Sequence, residues 1–183
     1  MKNNIILIGF MGCGKSTIGI RISEDYGIEF LDTDAWIEEK EQITISEIFA
    51  SKGEPYFRQL ETNCLEVLLE ESAIDGSKST VGKVVSVGGG LPMKEENRQI
   101  LKKLGTVIYL KATGETIYNR LKTDTTRPLL QGDNPKQKIK NLMEQREEIY
   151  CQAADGVVEV DNKEIMEIVE EIKIIFDKRK NKL

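Results

Sequence analysis

One eight-residue segment near the start of the chain constrains the fold more than any other feature. Residues 9–16 read Gly-Phe-Met-Gly-Cys-Gly-Lys-Ser and match the pattern G-x-x-x-x-G-K-[ST] in full. The segment follows an apolar run at 5–8, which predicts a buried strand, and it precedes a helical pattern from Lys15 to Tyr26 that Gly27 would end. A glycine-rich loop between a strand and a helix is the setting in which this pattern binds nucleotide phosphates.

Each position of this phosphate-binding loop has a physical role. Its glycines allow backbone torsions that turn successive N–H groups toward an anion. Lys15 can reach the β- and γ-phosphates, and Ser16 can ligate Mg²⁺. Cys13 is interpreted as a small residue, with a reactive thiol of lowered pKa as the alternative. Nucleotide binding is therefore assigned to Gly12, Cys13, Gly14, Lys15, Ser16 and Thr17.

Composition excludes several function classes. The chain has no histidine, which excludes a histidine general base, a Ser-His-Asp triad and an imidazole-ligated metal. Its net charge of −5 argues against a general nucleic-acid binder. Three cysteines without a C-x-x-C pair predict neither a disulfide framework nor a structural zinc. We find no run of 18 apolar residues and no signal-peptide pattern, so we expect a cytoplasmic protein without a membrane contact.

Short apolar runs alternate with helical patterns, which predicts one α/β domain with a parallel sheet of about five strands. Further strands are expected at 29–31, 84–87, 106–110 and 156–160. Apolar residues at helical spacing predict one helix over 57–68 and another over 165–176. Two polar stretches are predicted to be loops. The stretch at 72–83 links a helix to a strand, and that at 122–135 is long enough to be a mobile functional loop.

Two carboxylates follow the predicted second strand, Asp32 and Asp34. The carboxyl ends of parallel strands face the ligand in folds of this type. In an extended segment, positions two apart point the same way, so both carboxylates would enter one pocket. One would suit a water-mediated Mg²⁺ contact and the other would suit accepting a hydroxyl proton. The alternative is a helix N-cap ahead of Ala35.

Six segments occur together and in order along the chain, and they extend over nearly its whole length. They are GFMGCGKST at 9–17, LDTD at 31–34, GEPYFRQLE at 53–61, SVGGG at 86–90, RPLL at 127–130 and REEIY at 146–150. In this set and its intervals the chain resembles the shikimate kinases. The resemblance implies a three-layer αβα P-loop NTPase fold of the nucleoside-monophosphate-kinase type, as a single kinase domain over 1–183. Within it, 33–62 would be the substrate-binding region and 112–135 a mobile lid.

The resemblance also implies an activity and its partners. Shikimate kinases transfer the γ-phosphoryl group of ATP to the 3-hydroxyl of shikimate with Mg²⁺, a step toward the aromatic amino acids. On this basis we expect ATP and shikimate as substrates and a monomeric protein. Ser16 and Asp32 would lie on the magnesium side, and Asp34 would orient the hydroxyl and accept its proton.

Other residues take their roles from the same resemblance. Arg58 and Arg146 occupy carboxylate-binding positions, where a guanidinium can bind bidentately, although each alone would also suit an ion pair on a helix surface. Gly89 and Gly90 would contact shikimate. Arg127 in the lid would reach the phosphates during transfer, and solvent exposure is its alternative. The last of this set is Arg120, which would pack against adenine or remain solvated on its helix.

Two other functions stay open at this point. A related small-metabolite kinase, such as a gluconate kinase, would share the phosphate loop and lid but would not require the paired arginines. A regulatory nucleotide switch would bind without catalysis. For a guanine nucleotide it would carry N-K-x-D, whereas residues 162–165 read Asn-Lys-Glu-Ile and lack the aspartate.

Overall fold

The structure, a computed structural model, describes residues 4–74, 82–122 and 134–180, and a parallel sheet with helices on both faces organises them. The strands are β1 Asn4–Ile8, β2 Phe30–Asp32, β3 Val84–Ser86, β4 Gly105–Lys111 and β5 Gly156–Glu159. The helices are α1 Lys15–Tyr26, α2 Thr33–Glu41, α3 Ile45–Ile74, α4 Glu95–Leu104, α5 Gly114–Leu121, α6 Pro135–Ala153 and α7 Ile165–Lys180.

The five strands lie in the order β2-β3-β1-β4-β5, and every adjacent pair is parallel. The central strand β1 pairs with β3 through Leu7 and Ser86, and with β4 through Leu7 and Ile108. Because the strands are parallel, the segments that follow β1, β2 and β3 emerge at the same edge of the sheet. This edge is where the sequence places its candidate site residues.

Successive side chains of β1 point to opposite faces of the sheet and so contribute to two separate hydrophobic cores. Ile5 and Leu7 pack with apolar residues of α1, α5 and α7. Ile6 and Ile8 pack with apolar residues of α3, α4 and α6. Side chains two apart share a face, so a strand covered on both sides needs apolar residues throughout. The three-layer α/β fold with a five-stranded parallel sheet is thereby confirmed.

The expected strands and helices agree with the structure except at some ends. The second strand is displaced by one residue, to Phe30–Asp32, because Asp32 still pairs with Ser86 in the ladder. Gly27 ends α1 in a left-handed conformation, as predicted. The loop expected from position 72 begins too early, since α3 continues to Ile74. Residues 75–81 and 123–133 lie outside the described residues, and with them most of the loop expected at 122–135 and part of the expected lid at 112–135.

Helix α3 is long, and it changes direction at Gly53, whose φ of 80° is not helical. Pro55 follows two residues later and lacks the N–H that would continue the helical hydrogen bonds. The part after this kink carries Phe57, Cys64 and Leu68 in the buried face that the sequence predicted. No helix among the described residues combines the length and the apolar character that crossing a membrane requires.

Candidate functional site

The phosphate-binding loop joins β1 to α1, and its lysine forms hydrogen bonds with the backbone of the same loop. Gly14 caps the helix with a φ of 104°, a left-handed conformation that favours glycine. The Lys15 ammonium donates to the carbonyls of Gly9 and Phe10, at 3.0 and 3.2 Å. These two hydrogen bonds fix the Lys15 side chain across the loop. This arrangement presents a cation and a helix N-terminus to an anion.

A cavity of about 460 Å³ opens at this loop. Nearly all of the predicted nucleotide-side and magnesium-side residues line it, together with one carboxylate and one glycine assigned to the acceptor. They are Gly12, Cys13, Gly14, Lys15, Ser16, Thr17, Asp32, Asp34, Gly89 and Arg120. Arg127 lies outside the described residues. Sequence reasoning did not include Val160, Lys163 and Ile165, which come from the segment after β5 and also line the cavity.

Arg120 contacts the phosphate-binding loop itself. Its Nη1 donates to the carbonyl of Gly12 at 3.1 Å. The guanidinium therefore holds a loop carbonyl from α5, on the wall of the cavity. Arg120 is nevertheless an exposed residue, so one hydrogen bond to the loop does not decide between packing against adenine and solvation on its helix, and both stay predictions.

The Ser16 hydroxyl and the Asp32 carboxylate form a pair of oxygen ligands. Ser16 Oγ donates to Asp32 Oδ2 at 2.9 Å. Asp32 Oδ1 accepts the backbone N–H groups of Asp34 and Ala35, at 3.0 and 3.4 Å, and so caps α2. Hard oxygen donors fit Mg²⁺. Among the described residues no cluster of three or more acidic, cysteine or histidine side chains could hold a metal alone, so such an ion would complete its shell with phosphate and water.

The expectation of an extended segment at Asp32 and Asp34 is wrong. Asp32 ends β2 and is the N-cap of α2, while Asp34 lies in the first turn of that helix. The N-cap alternative therefore holds, but for Asp32. Both side chains line the cavity nevertheless, because a short strand followed at once by a helix keeps the cap and the first turn at the sheet edge.

A second cavity of about 230 Å³ contains the two predicted arginines. Arg58, Gly90 and Arg146 line it, together with Glu54 and Glu61. Arg58 is held on both sides: Nη2 and Nε lie 2.8 and 3.1 Å from Glu54 Oε1, and Nη1 lies 2.8 Å from Glu61 Oε2. The ion pair that the sequence offered as an alternative therefore exists, and it fixes the guanidinium at the cavity wall. Three of the five guanidinium N–H groups are used, which leaves donors for an anion.

The turn Gly88-Gly89-Gly90 separates the two cavities, since Gly88 and Gly89 line the first and Gly90 the second. The carbonyl of Gly89 accepts the Tyr150 hydroxyl at 2.5 Å and Arg146 Nη1 at 3.4 Å. A side chain on Gly90 would collide with the guanidinium of Arg58, whose Cζ lies 2.8 Å from the position of a Cβ. The absence of side chains at Gly88 and Gly90 lets charged side chains approach the backbone closely.

Around the glycine turn and Arg58, the sequence also failed to indicate Tyr150 and Glu61. Tyr150 is almost fully buried, packs on the ring of Tyr109 and follows Arg146 by one helical turn. Burial raises the pKa of Tyr150 to about 12, so its hydroxyl stays protonated and donates to Gly89. Glu61 lies in the GEPYFRQLE segment, but sequence reasoning assigned it no role of its own. The REEIY and GEPYFRQLE segments contained both residues, but nothing local to them indicated burial.

Known proteins resemble this chain over most of its length. A family model described as shikimate kinase matches residues 11–176. A shikimate kinase from Persephonella marina is 44% identical over 92% of this chain and 96% of its own length. One from Sulfurihydrogenibium sp. is 43% identical, over 92% and 95%. Shikimate kinase from Acinetobacter baumannii, solved in complex with shikimate, matches with a TM-score of 0.86 at 35% identity, over 98% of this chain and 96% of that one.

These matches extend from the phosphate-binding loop through the turn of three glycines to the helix of Arg146 and Tyr150. They agree with the order of motifs in the sequence and with the cavities that those motifs build. The resemblance stated from the sequence is confirmed: the chain belongs to the shikimate kinase family.

Proposed function

We propose that the chain transfers the γ-phosphoryl group of ATP to the 3-hydroxyl of shikimate, giving shikimate 3-phosphate and ADP. Membership of the family makes it an ATP-dependent kinase. The observation that carries the proposal is the pairing of two cavities at one glycine turn. One cavity has a phosphate-binding loop, and the other has two arginines suited to a carboxylate.

The nucleotide occupies the larger cavity in this proposal. Its phosphates lie in the loop against Lys15 and the backbone N–H groups, and Arg120 packs beside the base. Ser16 and Asp32 would hold Mg²⁺, which would supply positive charge to neutralise the phosphate oxygens. Arg127 comes from the lid at 112–135 and stabilises the same charge. Closure of that lid would exclude water and so prevent wasteful hydrolysis of ATP.

The acceptor occupies the smaller cavity and extends toward Asp34. Arg58 and Arg146 bind its carboxylate, and the turn at Gly89 and Gly90 contacts its ring substituents. Asp34 orients the 3-hydroxyl and accepts its proton during in-line attack. Most of the acceleration would come from positioning and electrostatic stabilisation, since the reaction needs no covalent intermediate on the protein.

We further propose that the whole chain, 1–183, is one kinase domain that works as a monomer in the cytoplasm, with 33–62 as its substrate-binding region. Three free cysteines, including the exposed Cys151, suit a reducing compartment. The net charge of −5 supports the absence of a nucleic-acid partner.

The acceptor is tested directly by measuring ADP release with shikimate, gluconate or AMP as the second substrate. We expect release that depends on shikimate and on Mg²⁺. Equal or faster release with gluconate would overturn the choice of acceptor. No acceptor-dependent release at all would revive the nucleotide-switch interpretation.

Arg58→Ala should raise KM for shikimate by about 10–100-fold while KM for ATP changes little. A charge-assisted hydrogen bond contributes about 1.5–3 kcal/mol, and the substitution also removes the cation that compensates Glu61. Steady-state kinetics with each substrate varied in turn checks this. Arg21→Ala is the matched control, because Arg21 makes an exposed ion pair with Asp25 on α1. Equal damage to both KM values would contradict the assignment.

A further inference from the structure

Glu61 is a buried carboxyl group that the mechanism above does not use. Its side chain is 1% exposed, on the part of α3 that follows the kink. Oε2 accepts from Arg58 Nη1 at 2.8 Å. Oε1 is buried and has no hydrogen-bond partner among the residues that the structure describes. A buried carboxylate oxygen without a hydrogen-bond donor raises the free energy of the folded protein. Oε1 would be stabilised by binding a proton or by contact with a ligand.

The free oxygen of Glu61 faces a second carboxyl group. A Cβ on Gly88 would lie 2.8 Å from Glu61 Oε1 and 2.7 Å from Asp34 Oδ1. A side chain on Gly88 would therefore collide with both carboxyl groups, which lie close to one another on this side of the glycine turn. A like charge on Asp34 disfavours ionisation of the buried Glu61. Burial raises the pKa of Glu61 to about 7, with Arg58 opposing this and the charges of Asp34 and Glu54 adding to it.

The charged groups around Glu61 come from four elements. Arg58 and Glu54 lie on α3 and Asp34 on α2. Lys94, which caps α4, and Arg146 on α6 line the same cavity. The Lys94 ammonium already pairs with Glu96 at 2.7 Å, so it gives Glu61 little additional compensation. Arg58 is the cation that contacts Glu61, and it is also the cation assigned to the substrate.

We propose that Glu61 is a positioning residue that takes up a proton when shikimate binds, and that its neutral carboxyl then donates a hydrogen bond toward Asp34. The inference rests on the proposed function, since it requires the shikimate carboxylate at Arg58. That carboxylate adds negative charge and competes with Glu61 for the guanidinium, which favours the neutral form of Glu61. The proton comes from solvent and joins Oε1. The bond it makes orients the Asp34 carboxylate toward the acceptor hydroxyl.

The sign of the pH dependence follows from this linkage. A group whose pKa rises on binding takes up protons from solution, and binding weakens as pH rises above its pKa in the free protein. The affinity for shikimate should therefore fall above a pH of about 7. Below that pH Glu61 is already protonated, and the affinity should not depend on its titration.

Calorimetric titration of the full chain with shikimate measures the proton directly. Titrations at pH 7.5 in buffers of different ionisation enthalpy should show uptake of a fraction of one proton, and those at pH 5.5 should show none. Glu61→Gln keeps the acceptor for Arg58 but cannot titrate. We expect it to bind shikimate without proton uptake and with a flatter pH profile of KM. Glu54→Gln is the matched control, because it changes the exposed carboxylate on the same guanidinium and should retain the uptake.

Several results would overturn the proposal. Heats that do not depend on the buffer in the unsubstituted chain would show that no proton is taken up. Uptake that persists in Glu61→Gln would place the proton elsewhere. If that variant does not fold, NMR titration of the glutamate side-chain carboxyls in the unsubstituted chain decides instead, since shikimate should raise the Glu61 pKa. Failure of the proposed function is distinguishable, because shikimate would then neither bind nor support ADP release.

Discussion

Asp34→Asn should lower kcat for shikimate phosphorylation by a factor of about 10²–10⁴, the contribution typical of a positioned acid–base group. Asparagine has nearly the same shape and can still accept a hydrogen bond from the 3-hydroxyl, but it cannot accept the proton. The backbone N–H of residue 34 would still donate to Asp32 Oδ1, so the N-cap of α2 would be kept. The loss should therefore appear in kcat, with KM for ATP nearly unchanged. Steady-state kinetics with each substrate varied at saturating levels of the other measures both quantities.

A control for Asp34→Asn must change an aspartate away from the site. Asp25→Asn does so, because Asp25 lies at the end of α1 and pairs with Arg21 and Lys173 on the surface. We expect it to turn over normally. Comparison of thermal unfolding midpoints separates a folding defect from a catalytic one. Turnover of Asp34→Asn within a few-fold of the unsubstituted chain would remove Asp34 from the role of base.

The elements of the fold that depend on local pattern could be predicted from the sequence. The loop at 9–16 needs its own glycines and lysine, and the strand before it needs apolar residues because helices cover both faces of the sheet. The sequence therefore indicated the phosphate site, the α/β class and the strand positions to within a residue. The start of α2 was not predicted, because the short strand at 29–31 suggested that the extended chain continued through Asp34.

Features that depend on packing across distant elements could not be predicted in this way. Glu61 lies three residues after Arg58 on a helix, which is the ordinary spacing of an exposed ion pair. Only the approach of α2 and of Gly88 buries it beside Asp34. Tyr150 is similar, since its contact with Gly89 joins residues 61 positions apart. Contacts of this kind orient the predicted site residues, but no pattern in the neighbouring sequence indicates them.

Gly88 shows how closely these parts are fitted. Its N–H donates to Thr33 Oγ1 at 3.1 Å, which fixes the glycine turn against the start of α2. Its missing side chain leaves the space that the carboxyl oxygens of Asp34 and Glu61 border. The turn thus positions the proposed base of the reaction, and the same backbone continues to Gly90, over which Arg58 lies. The same short turn therefore places the cavity of the phosphate-binding loop next to the cavity of Arg58 and Arg146.

Lys15→Met should reduce kcat/KM by a factor of at least about 10²–10³, because removing one preorganised stabiliser of developing charge typically costs that much. Methionine retains the length and apolar stem of lysine but supplies no charge to the β- and γ-phosphates. It also leaves the carbonyls of Gly9 and Phe10 without the ammonium that bridges them. The loop should consequently be less ordered, and ATP binding should weaken as well. Coupled ADP-release kinetics and calorimetric titration with MgATP measure the two effects separately.

Lys140→Met is the matched control for this substitution. The Lys140 side chain is 65% exposed on α6, and its ion pair with Glu144 is long, at 3.9 Å, so its loss should leave the kinetics unchanged. The comparison isolates the position of the charge, since both variants lower the net charge equally. Shikimate binding at Arg58 and Arg146 should survive in Lys15→Met, because those arginines line the other cavity. If instead Lys15→Met bound MgATP and turned over like Lys140→Met, the loop would not be the phosphate site. The two adjacent cavities would then no longer support phosphoryl transfer between them.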